Sequence, residues 1–453
     1  MLEKSTRGIR EIRRTHNRDR AELLESVCRT LIVRIKGPQS LRGTVTAPGS
    51  KAYTHRALLA SLLSRGETII EGASECDDVH WTLEGIRSLG AKVRIQNSRI
   101  VSVGRERSAL CANPIECGES GATLRFLTAI AGTSPTRTAL RASKRLAERP
   151  LEPLLKAMET LGASTMISEN TEGSEVSVQG PLKGGETWIQ GDISSQFVSG
   201  LLFAAPLALT DVIVHVKGRL ESRPYVEMTL DVLKRHGISI SVEDSDFRIP
   251  APQKYTGAFH DVPGDFSSAA FLIAGAGIAG EEITVSGLNP GSAEPDAVFL
   301  KVIDQMGLKV RNVGQTLEVS GSKLEPFDFD AINNPDLVPP LEVLGCFAKG
   351  TSEIRGVKRL RYKETNRLQT IPAELGKMGA KISVNDDVVR IKGGGLAGSE
   401  LDSKHDHRVA MSCAIASIGA TGDSSIRKAE VVSKSYPEFF QDLTRLGVDL
   451  NVE

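Results

Sequence analysis

The sequence predicts an α/β (α+β) fold, arranged as two lobes of three repeats each. Six segments share one order: a small-residue or acidic loop, an Ala/Leu-rich helix, a glycine turn and a short alternating strand. A second helix that ends at a glycine, and another strand, follow each segment. Landmark residues of successive segments lie 70 to 73 positions apart: Gly49, Gly121, Gly191, Gly264, Pro335 and Asp406. One such unit cannot bury both of its faces alone, so six copies favour two lobes of three.

The repeats also suggest where the domains begin and end. Residues 1–30 carry none of the repeat pattern, and their arginines are interleaved with acidic residues. This composition excludes a signal peptide and argues against a transit peptide, so we predict a partly helical, dispensable extension. Two crossings of the chain, near Gly49 and Gly264, predict one lobe from residues 31–49 plus 264–453. Residues 50–263 are predicted to form the other lobe.

The composition excludes several classes of protein. The 56 basic and 56 acidic residues balance, so the overall charge attracts neither nucleic acid nor a membrane surface. No apolar run approaches the length of a membrane span. The scattered cysteines contain no C-x-x-C pair, which predicts a reducing, cytoplasmic location without a zinc site or disulfide framework. They are Cys28, Cys76, Cys111, Cys117, Cys346 and Cys413.

The stretch 334–368 holds the strongest signal for chemistry. It begins with Asp336 and ends with Lys363, Glu364 and Arg367, while an apolar helix and an alternating strand lie between. If the helix and strand fold back on each other, acids and cations converge at one site. That pattern is typical of proton transfer on an anionic substrate. The alternative is a solvated helix start with a Glu–Arg pair.

The loops before the first helices of the repeats form a second signal. Free N–H groups and the positive end of the dipole make helix starts suitable for binding anions. Nine cations lie at or near these starts: Lys51, Arg56, Arg125, Arg145, Arg149, Lys363, Arg367, Arg408 and Lys434. Two other motifs lack the required context. The glycine pattern at 275–280 falls at a helix end rather than between strand and helix. His405 and His407 lack a completing ligand cluster, so no metal is expected.

Nine motifs together resemble one known family. PGSKAYTHRALL, GESGATLRFL, AERPLEPLL, GDISSQF, SRPY, the NPD loop, RYKETNRL, DHRVAM and KSYPEFF occur in the order typical of 3-phosphoshikimate 1-carboxyvinyltransferases (EPSP synthases). The resemblance runs from about Leu31 to the end of the chain. It implies the two-lobed enolpyruvate transferase fold, with three βαβαββ units per lobe around pseudo-threefold symmetry and substrates bound between the lobes.

The resemblance also implies a reaction. The enolpyruvyl group of phosphoenolpyruvate would move to the 5-hydroxyl of shikimate 3-phosphate by addition and elimination, with release of phosphate, in aromatic amino acid biosynthesis. It implies small-molecule substrates and no metal or organic cofactor. We expect a monomer that binds neither nucleic acid nor membrane. Both substrates are phosphorylated carboxylates, which agrees with the number of cations near the loops.

Individual roles carry over by position. Asp336 would act as base at the shikimate hydroxyls, Glu364 as acid and base at the phosphoenolpyruvate methylene, and Lys51 would bridge both substrates. Phosphoenolpyruvate would be bound by Arg145, Arg367, Arg408 and Lys434, with Gly121 leaving room. Shikimate 3-phosphate would be bound by Ala52, Arg56, Ser194, Ser195, Gln196, Ser222, Tyr225 and Lys363, of which Arg56 would take the carboxylate.

Three positions depart from the family pattern. Ala52 stands where most members have a serine that contacts the shikimate carboxylate. Asn366 replaces the usual aspartate of the RYKETNR motif. Arg359 occupies a variable position that contacts substrate in some members.

Two other functions are compatible with parts of the sequence. The first is the sister transferase, UDP-N-acetylglucosamine enolpyruvyl transferase, which carries a cysteine in a mobile loop; Cys111 and Cys117 lie near that region. Ser194 to Gln196 and Asp406 to Arg408 favour shikimate instead. The second is a non-catalytic anion- or RNA-binding module on the same fold, which predicts aromatic residues beside the cations.

Overall fold

The computed structural model describes residues 30–453, except for 97–98, 105–113, 172, 281 and 322. The predicted N-terminal extension and Cys111 therefore lie outside the described residues, apart from Thr30. In the described part of the chain, no helix has both the length and the apolar character needed to cross a membrane.

Strands and helices are interspersed along the whole described chain. The strands are β1 Ile32–Ile35, β2 Gly43–Thr46, β3 Ser64–Arg65, β4 Glu67–Glu71, β5 Lys92–Gln96, β6 Arg99–Val103, β7 Ile115–Glu116, β8 Thr138–Ser143, β9 Ser164–Asn170, β10 Gly173–Gln179, β11 Gly185–Gln190, β12 Val212–Lys217, β13 Ser241–Glu243, β14 Asp246–Ile249, β15 Tyr255–Thr256, β16 Phe259–Asp261, β17 Glu282–Ser286, β18 Lys309–Val313, β19 Thr316–Ser320, β20 Asp328–Asp330, β21 Thr351–Arg355, β22 Lys381–Asn385, β23 Val388–Lys392, β24 Glu400–Asp402, β25 Ser424–Arg427 and β26 Leu450–Val452. The helices are α1 Lys51–Leu63, α2 Asp77–Ser88, α3 Gly121–Ala131, α4 Lys144–Ala147, α5 Glu152–Thr160, α6 Ser195–Ala204, α7 Arg223–Arg235, α8 Phe266–Ala279, α9 Phe299–Gln305, α10 Val338–Phe347, α11 Arg367–Lys377, α12 His407–Ile418 and α13 Phe439–Arg445. Short 3-10 turns occupy Ala205–Leu207, Pro295–Val298, Pro335–Leu337, Lys358–Tyr362 and Ala429–Lys434.

Six four-stranded sheets share one topology. In space their orders are β16-β4-β6-β5, β7-β8-β10-β9, β11-β12-β14-β13, β2-β17-β19-β18, β20-β21-β23-β22 and β24-β25-β1-β26. Each sheet has one parallel pair followed by two antiparallel pairs; in the second sheet Leu140 lies between Ile115 on the parallel side and Val176 on the antiparallel side. This is the connectivity of a βαβαββ unit, so the prediction of six repeats is confirmed.

The sheets enclose two separate hydrophobic cores. One core consists of residues from 33–47 and 266–448, and the other of residues from 53–262. We call these the split lobe and the continuous lobe. The first helix of each repeat lies at the centre of its lobe: α8, α10 and α12 pack together in the split lobe, and α3 packs against α1 and α6 in the continuous lobe. Every residue of α3 is buried, as expected for a helix at the centre of a lobe.

The chain passes between the lobes at Gly49 and Gly264, which form an isolated antiparallel bridge. The Ser50 amide donates to the Pro263 carbonyl at 2.8 Å. Only glycine fits at position 49, because a Cβ there would lie 1.9 Å from the Gly72 carbonyl oxygen. This close passage brings the starts of α1 and α8 together, because the Lys51 amide N–H donates to Asp265, the cap of α8, at 3.1 Å.

Candidate active site

The cleft between the lobes brings most of the predicted site residues together. Thirteen of them line it: Lys51, Ala52, Arg56, Gly121, Ser194, Ser195, Gln196, Ser222, Tyr225, Asp336, Lys363, Glu364 and Arg367. They come from both lobes, and several lie at helix starts, as the loop pattern of the repeats predicted. Their individual roles remain predictions.

Asp336 lies in the 3-10 turn Pro335–Leu337, just before the buried helix α10, and three cations surround it. Lys363 Nζ lies 3.0 Å and Arg367 Nη1 3.2 Å from Asp336 Oδ1, and Arg408 Nη2 lies 4.0 Å from Oδ2. Burial opposes the charge, but these cations hold the pKa of Asp336 well below its usual range. The carboxylate is therefore ionised at neutral pH.

Glu364 forms the second acidic group of the cleft. Arg367 Nη2 lies 2.8 Å from Glu364 Oε2, and Arg149 Nη1 approaches Oε1 to 3.5 Å. Burial works against ionisation, but the two guanidinium groups hold the pKa of Glu364 well below its usual range. Arg367 is almost fully buried, and Asp406 fixes it with bonds of 2.9 Å to Nε and 3.0 Å to Nη2.

Lys51 begins helix α1, and its ammonium group pairs with Asp78, an acid to which the sequence gave no role. Its Nζ lies 2.9 Å from Asp78 Oδ2, and Lys434 Nζ from the split lobe lies 3.5 Å from Asp78 Oδ1. Burial disfavours the ammonium group, but the Asp78 carboxylate outweighs it and raises the pKa of Lys51. One carboxylate thus holds two of the predicted phosphoenolpyruvate-binding lysines.

The hydroxyl and amide groups of the cleft are held at two helix starts. Ser194 caps α6 by accepting from the Gln196 amide N–H at 3.3 Å. The Gln196 side-chain oxygen accepts from Arg125 Nη1 at 2.7 Å, so its NH₂ group is left to donate. Ser222 has a left-handed backbone with φ of 54°, and Arg359 Nη2 donates to its hydroxyl at 2.8 Å. Arg359 also lines the cleft, so its guanidinium group already binds one residue of the site.

Three hydrogen bonds hold the Arg56 guanidinium in one orientation. Its Nε donates to Thr229, its Nη1 to the Ala52 carbonyl and its Nη2 to the Tyr225 carbonyl, at 2.8, 2.8 and 2.9 Å. One N–H remains on each terminal nitrogen, which is the fork that binds a carboxylate at two points. Burial lowers the pKa of Arg56 to about 10, so the group is still charged at neutral pH.

Three predicted cations do not line the cleft. Arg145 donates across the lobes to the carbonyls of Lys404 and His405 at 2.8 and 3.3 Å. Arg408 donates to the Ser267 carbonyl and hydroxyl, and Lys434 donates to the Glu119 carbonyl at 2.7 Å. Arg408 and Lys434 still reach the acids Asp336 and Asp78 of the site, and both Lys434 and Arg145 connect the two lobes.

Arg125 and Arg149 line the cleft, although the resemblance gave them no role. A Cβ at Gly121 would lie 3.0 Å from Arg149 Nη1 and 3.4 Å from Arg125 Nη1, so glycine at 121 leaves these guanidinium groups in place. The AERPLEPLL motif contains Arg149, which was the available signal. Spacing alone does not show which arginine of residues 145–149 faces the cleft.

One group of residues has the composition of a metal site. Ligand atoms of Glu364, Asp406 and His407 lie within 4.8 Å of one another. However, Arg367 donates to both carboxylates, and burial, followed by Lys51, lowers the pKa of His407 well below its usual range. Because a guanidinium cation already neutralises this group, it fits a fixed ion-pair network better than a metal ion.

Of the two cysteines named for the rival transferase, Cys117 does not line the cleft. Cys117 is fully buried, and burial raises the pKa of its thiol. Such a thiol is unreactive. Cys111 lies outside the described residues.

The sequence model of the family EPSP synthase (3-phosphoshikimate 1-carboxyvinyltransferase) matches residues 35–443. The chain belongs to this family. It is 39% identical to the 3-phosphoshikimate 1-carboxyvinyltransferase of Methanococcoides burtonii over 420 residues, which cover 91% of the chain and 98% of that protein. It is 40% identical to the protein of the same name from Methanosarcina mazei over 416 residues, 90% of the chain and 96% of that protein.

Solved structures agree with this membership. The EPSP synthase of Acinetobacter baumannii superposes with a TM-score of 0.78 at 26% identity, covering 94% of the chain and 100% of that structure. The predicted two-lobed enolpyruvate transferase fold is thereby confirmed. The family match does not favour the UDP-N-acetylglucosamine reaction or a non-catalytic module.

Proposed function

We infer that the chain is an enzyme that transfers the enolpyruvyl group of phosphoenolpyruvate to the 5-hydroxyl of shikimate 3-phosphate and releases phosphate. Family membership over residues 35–443 and two relatives of that name support this function. The observation that carries it within the cleft is the convergence of two ionised acids, Asp336 and Glu364, with Lys51 and several buried arginines. Such a site suits proton transfer between two anionic substrates.

Substrate charge explains the cations. Each substrate carries a phosphate and a carboxylate, and Arg56, Arg125, Arg149, Lys363 and Arg367 line the cleft from both lobes. Arg56 supports the predicted carboxylate subsite, because its two remaining N–H groups lie on one fork. We propose that Arg149 binds phosphoenolpyruvate directly and that Arg145 acts by joining the lobes.

The protonation states suggest an order of steps. Asp336 starts ionised and accepts the proton of the 5-hydroxyl as its oxygen bonds to C2 of phosphoenolpyruvate. Glu364 starts ionised because Arg149 and Arg367 hold it. Phosphoenolpyruvate competes for these arginines, so its binding raises the pKa of Glu364, which takes up a proton from solvent and donates it to the methylene carbon. In the elimination Glu364 takes that proton back as the C2–O bond to phosphate breaks, and protonated Lys51 neutralises the leaving group.

We further propose that the chain is a cytoplasmic monomer whose lobes are residues 31–49 plus 264–453 and residues 50–263. The two hydrophobic cores and the crossing at Gly49 and Gly264 support this division. Ligand groups from both lobes favour closure when shikimate 3-phosphate binds. Light scattering on the purified protein tests the oligomeric state. Small-angle scattering with and without the substrate tests the closure through the radius of gyration.

A phosphate-release assay tests the reaction. Phosphoenolpyruvate is supplied with shikimate 3-phosphate or with UDP-N-acetylglucosamine, and mass spectrometry identifies the enolpyruvyl product. We expect stoichiometric phosphate and product with shikimate 3-phosphate only. The exposed substitution Glu325→Gln is a matched control for Glu364→Gln and is expected to leave the rate unchanged. Turnover only with the amino sugar, or no turnover with either acceptor, would overturn the proposed function.

A further inference from the structure

A segment of the split lobe, residues 289–298, contains no predicted site residue but contacts three loops of the cleft. Glu294 accepts a hydrogen bond from the hydroxyl of Ser50, the residue that caps α1 just before Lys51. Asp296 accepts from Tyr225 at the start of α7 and from Asn334, two residues before Asp336. Both acids are buried, with Asp296 only 1% exposed.

Asp296 links the two lobes through a single carboxylate. Tyr225 belongs to the continuous lobe, and its Oη lies 2.8 Å from Asp296 Oδ2. Asn334 belongs to the split lobe, and its Nδ2 lies 2.9 Å from Oδ1 and 2.8 Å from the Pro295 carbonyl oxygen. Each oxygen of the carboxylate therefore serves one predicted substrate loop.

The bond to Asp296 determines what Tyr225 offers a ligand. A tyrosine hydroxyl has one proton, and Tyr225 donates it to Asp296. The residue lines the cleft, and Arg56 Nη2 donates to its backbone carbonyl. With its proton committed, Tyr225 presents its ring and an oxygen lone pair to the cleft. Tyr225 therefore lines the acceptor site by packing, and its hydroxyl does not donate a hydrogen bond to the substrate.

We propose that Asp296 is a positioning residue for the acceptor substrate, which fixes the Tyr225 ring against shikimate 3-phosphate and holds the Asp336 loop in register. The inference rests on the proposed function, because that function assigns Tyr225 and Asp336 to the acceptor site. Burial, with the nearby Asp336 carboxylate, raises the pKa of Asp296 to about 6. The group is therefore ionised at neutral pH, and both of its oxygens accept.

A double-mutant cycle between Asp296 and Tyr225 tests this role. Asp296→Ala, Tyr225→Phe and the double variant are compared in the phosphate-release assay for kcat and for both KM values. One lost hydrogen bond to a charged group predicts a rise of about tenfold or more in the KM for shikimate 3-phosphate. We expect a smaller change in kcat, because Asp296 does not reach the reacting atoms. The two substitutions should not be additive, since both remove the same bond.

Matched variants keep the test decisive. Asp304→Ala removes an exposed carboxylate from the next helix and is expected to leave all constants unchanged. If Asp296→Ala does not fold, Asp296→Asn replaces it, and its effect on the acceptor KM should shrink in the Tyr225→Phe background. Additive losses, or an Asp296 variant with an unchanged acceptor KM, would overturn the positioning role while the activity of the unmodified chain still supports the function. An unmodified chain without turnover would overturn both.

Discussion

Arg149 Nη1 lies 3.5 Å from Glu364 Oε1, although Arg149 lies in the continuous lobe and Glu364 in the split lobe. The ion pair therefore exists only while the lobes face each other. Both groups line the cleft and are largely buried, with side-chain exposures of 14% and 12%. A ligand that takes Arg149 removes one of the two guanidinium groups that hold the pKa of Glu364 low, so we expect ligand binding to raise that pKa.

Arg149 and Arg145 are expected to contribute unequally. Arg149→Ala removes a buried charged donor, so kcat/KM for phosphoenolpyruvate should fall by about 10- to 100-fold. Arg145 is more exposed, so Arg145→Ala should lower kcat/KM for phosphoenolpyruvate by at most about fivefold, as for other surface charges. Steady-state kinetics of both variants decide the matter. A greater loss for Arg145→Ala would favour the assignment taken from the family resemblance.

Removing either acid of the cleft should stop the chemistry. Glu364→Gln and Asp336→Ala are each expected to lower kcat by at least about 100-fold, the lower range for loss of a general acid or base. Circular dichroism confirms that each variant is folded, and Glu325→Gln serves as the control. Near-normal turnover in a folded variant would contradict the role of the residue that was changed.

Ala52 allows a gain of affinity. It lines the cleft in the first turn of α1, and its carbonyl accepts from Arg56 Nη1. A serine hydroxyl there adds a hydrogen bond to a charged acceptor, so Ala52→Ser should lower the KM for shikimate 3-phosphate about three- to tenfold. We expect kcat and the phosphoenolpyruvate KM to stay constant, as uniform binding requires.

The matched control for this change is Ala122→Ser, which adds a hydroxyl to the same cleft from helix α3. It should not improve acceptor binding. If Ala52→Ser instead shifts the phosphoenolpyruvate KM, residue 52 faces the other substrate.

Glu342 should make stability depend on pH. It is fully buried in α10, and neither carboxylate oxygen has a hydrogen-bond partner among the described residues. Burial raises its pKa to about 8. The folded state thus binds the proton more tightly than the unfolded state between about pH 4.5 and 8, so this residue's contribution to stability falls as pH rises through that range, by up to about 1.4 kcal/mol per pH unit.

Glu342→Gln should remove this slope. Denaturant unfolding at several pH values measures the free energy of unfolding of both proteins. Relative to the unmodified chain, the free energy of unfolding of the variant should increase as pH rises towards 8, and the difference should be smallest near pH 4.5. Glu400→Gln, which changes an exposed glutamate, should keep the original slope. Equal slopes for Glu342→Gln and the unmodified chain would mean that Glu342 is ionised in the folded state.

The repeats could be predicted because short stretches of sequence mark the start and end of each helix. The helix starts at Lys51, Gly121 and Phe266 follow loops of small or acidic residues, and glycines end the second helices. The pairing of β16 with β4 and of β2 with β17 could not be derived from periodicity. Those strands lie far from their partners in the chain, and nothing in a short window records the pairing.

The site could be predicted where a motif carries its own partners. The RYKETNR motif contains Lys363, Glu364 and Arg367. Lys363 and Arg367 lie 3.0 and 3.2 Å from Asp336, and Arg367 also pairs with Glu364. Asp78 gave no such signal, because none of the nine motifs contains it and its partner Lys434 lies 356 residues away in the other lobe. The same holds for Asp296, whose partner Tyr225 lies in the other lobe.

The double passage at Gly49 and Gly264 also sets an order of assembly during translation. Strands β1 and β2 leave the ribosome first, but Ile32 pairs with Arg427 and Val45 pairs with Val285. The whole continuous lobe is synthesised in between, and it can close on its own strands before those partners exist. We therefore expect a nascent chain with one finished lobe and two strands with unsatisfied edges. The split lobe then completes last, and its long-range pairings make it the slower folding unit.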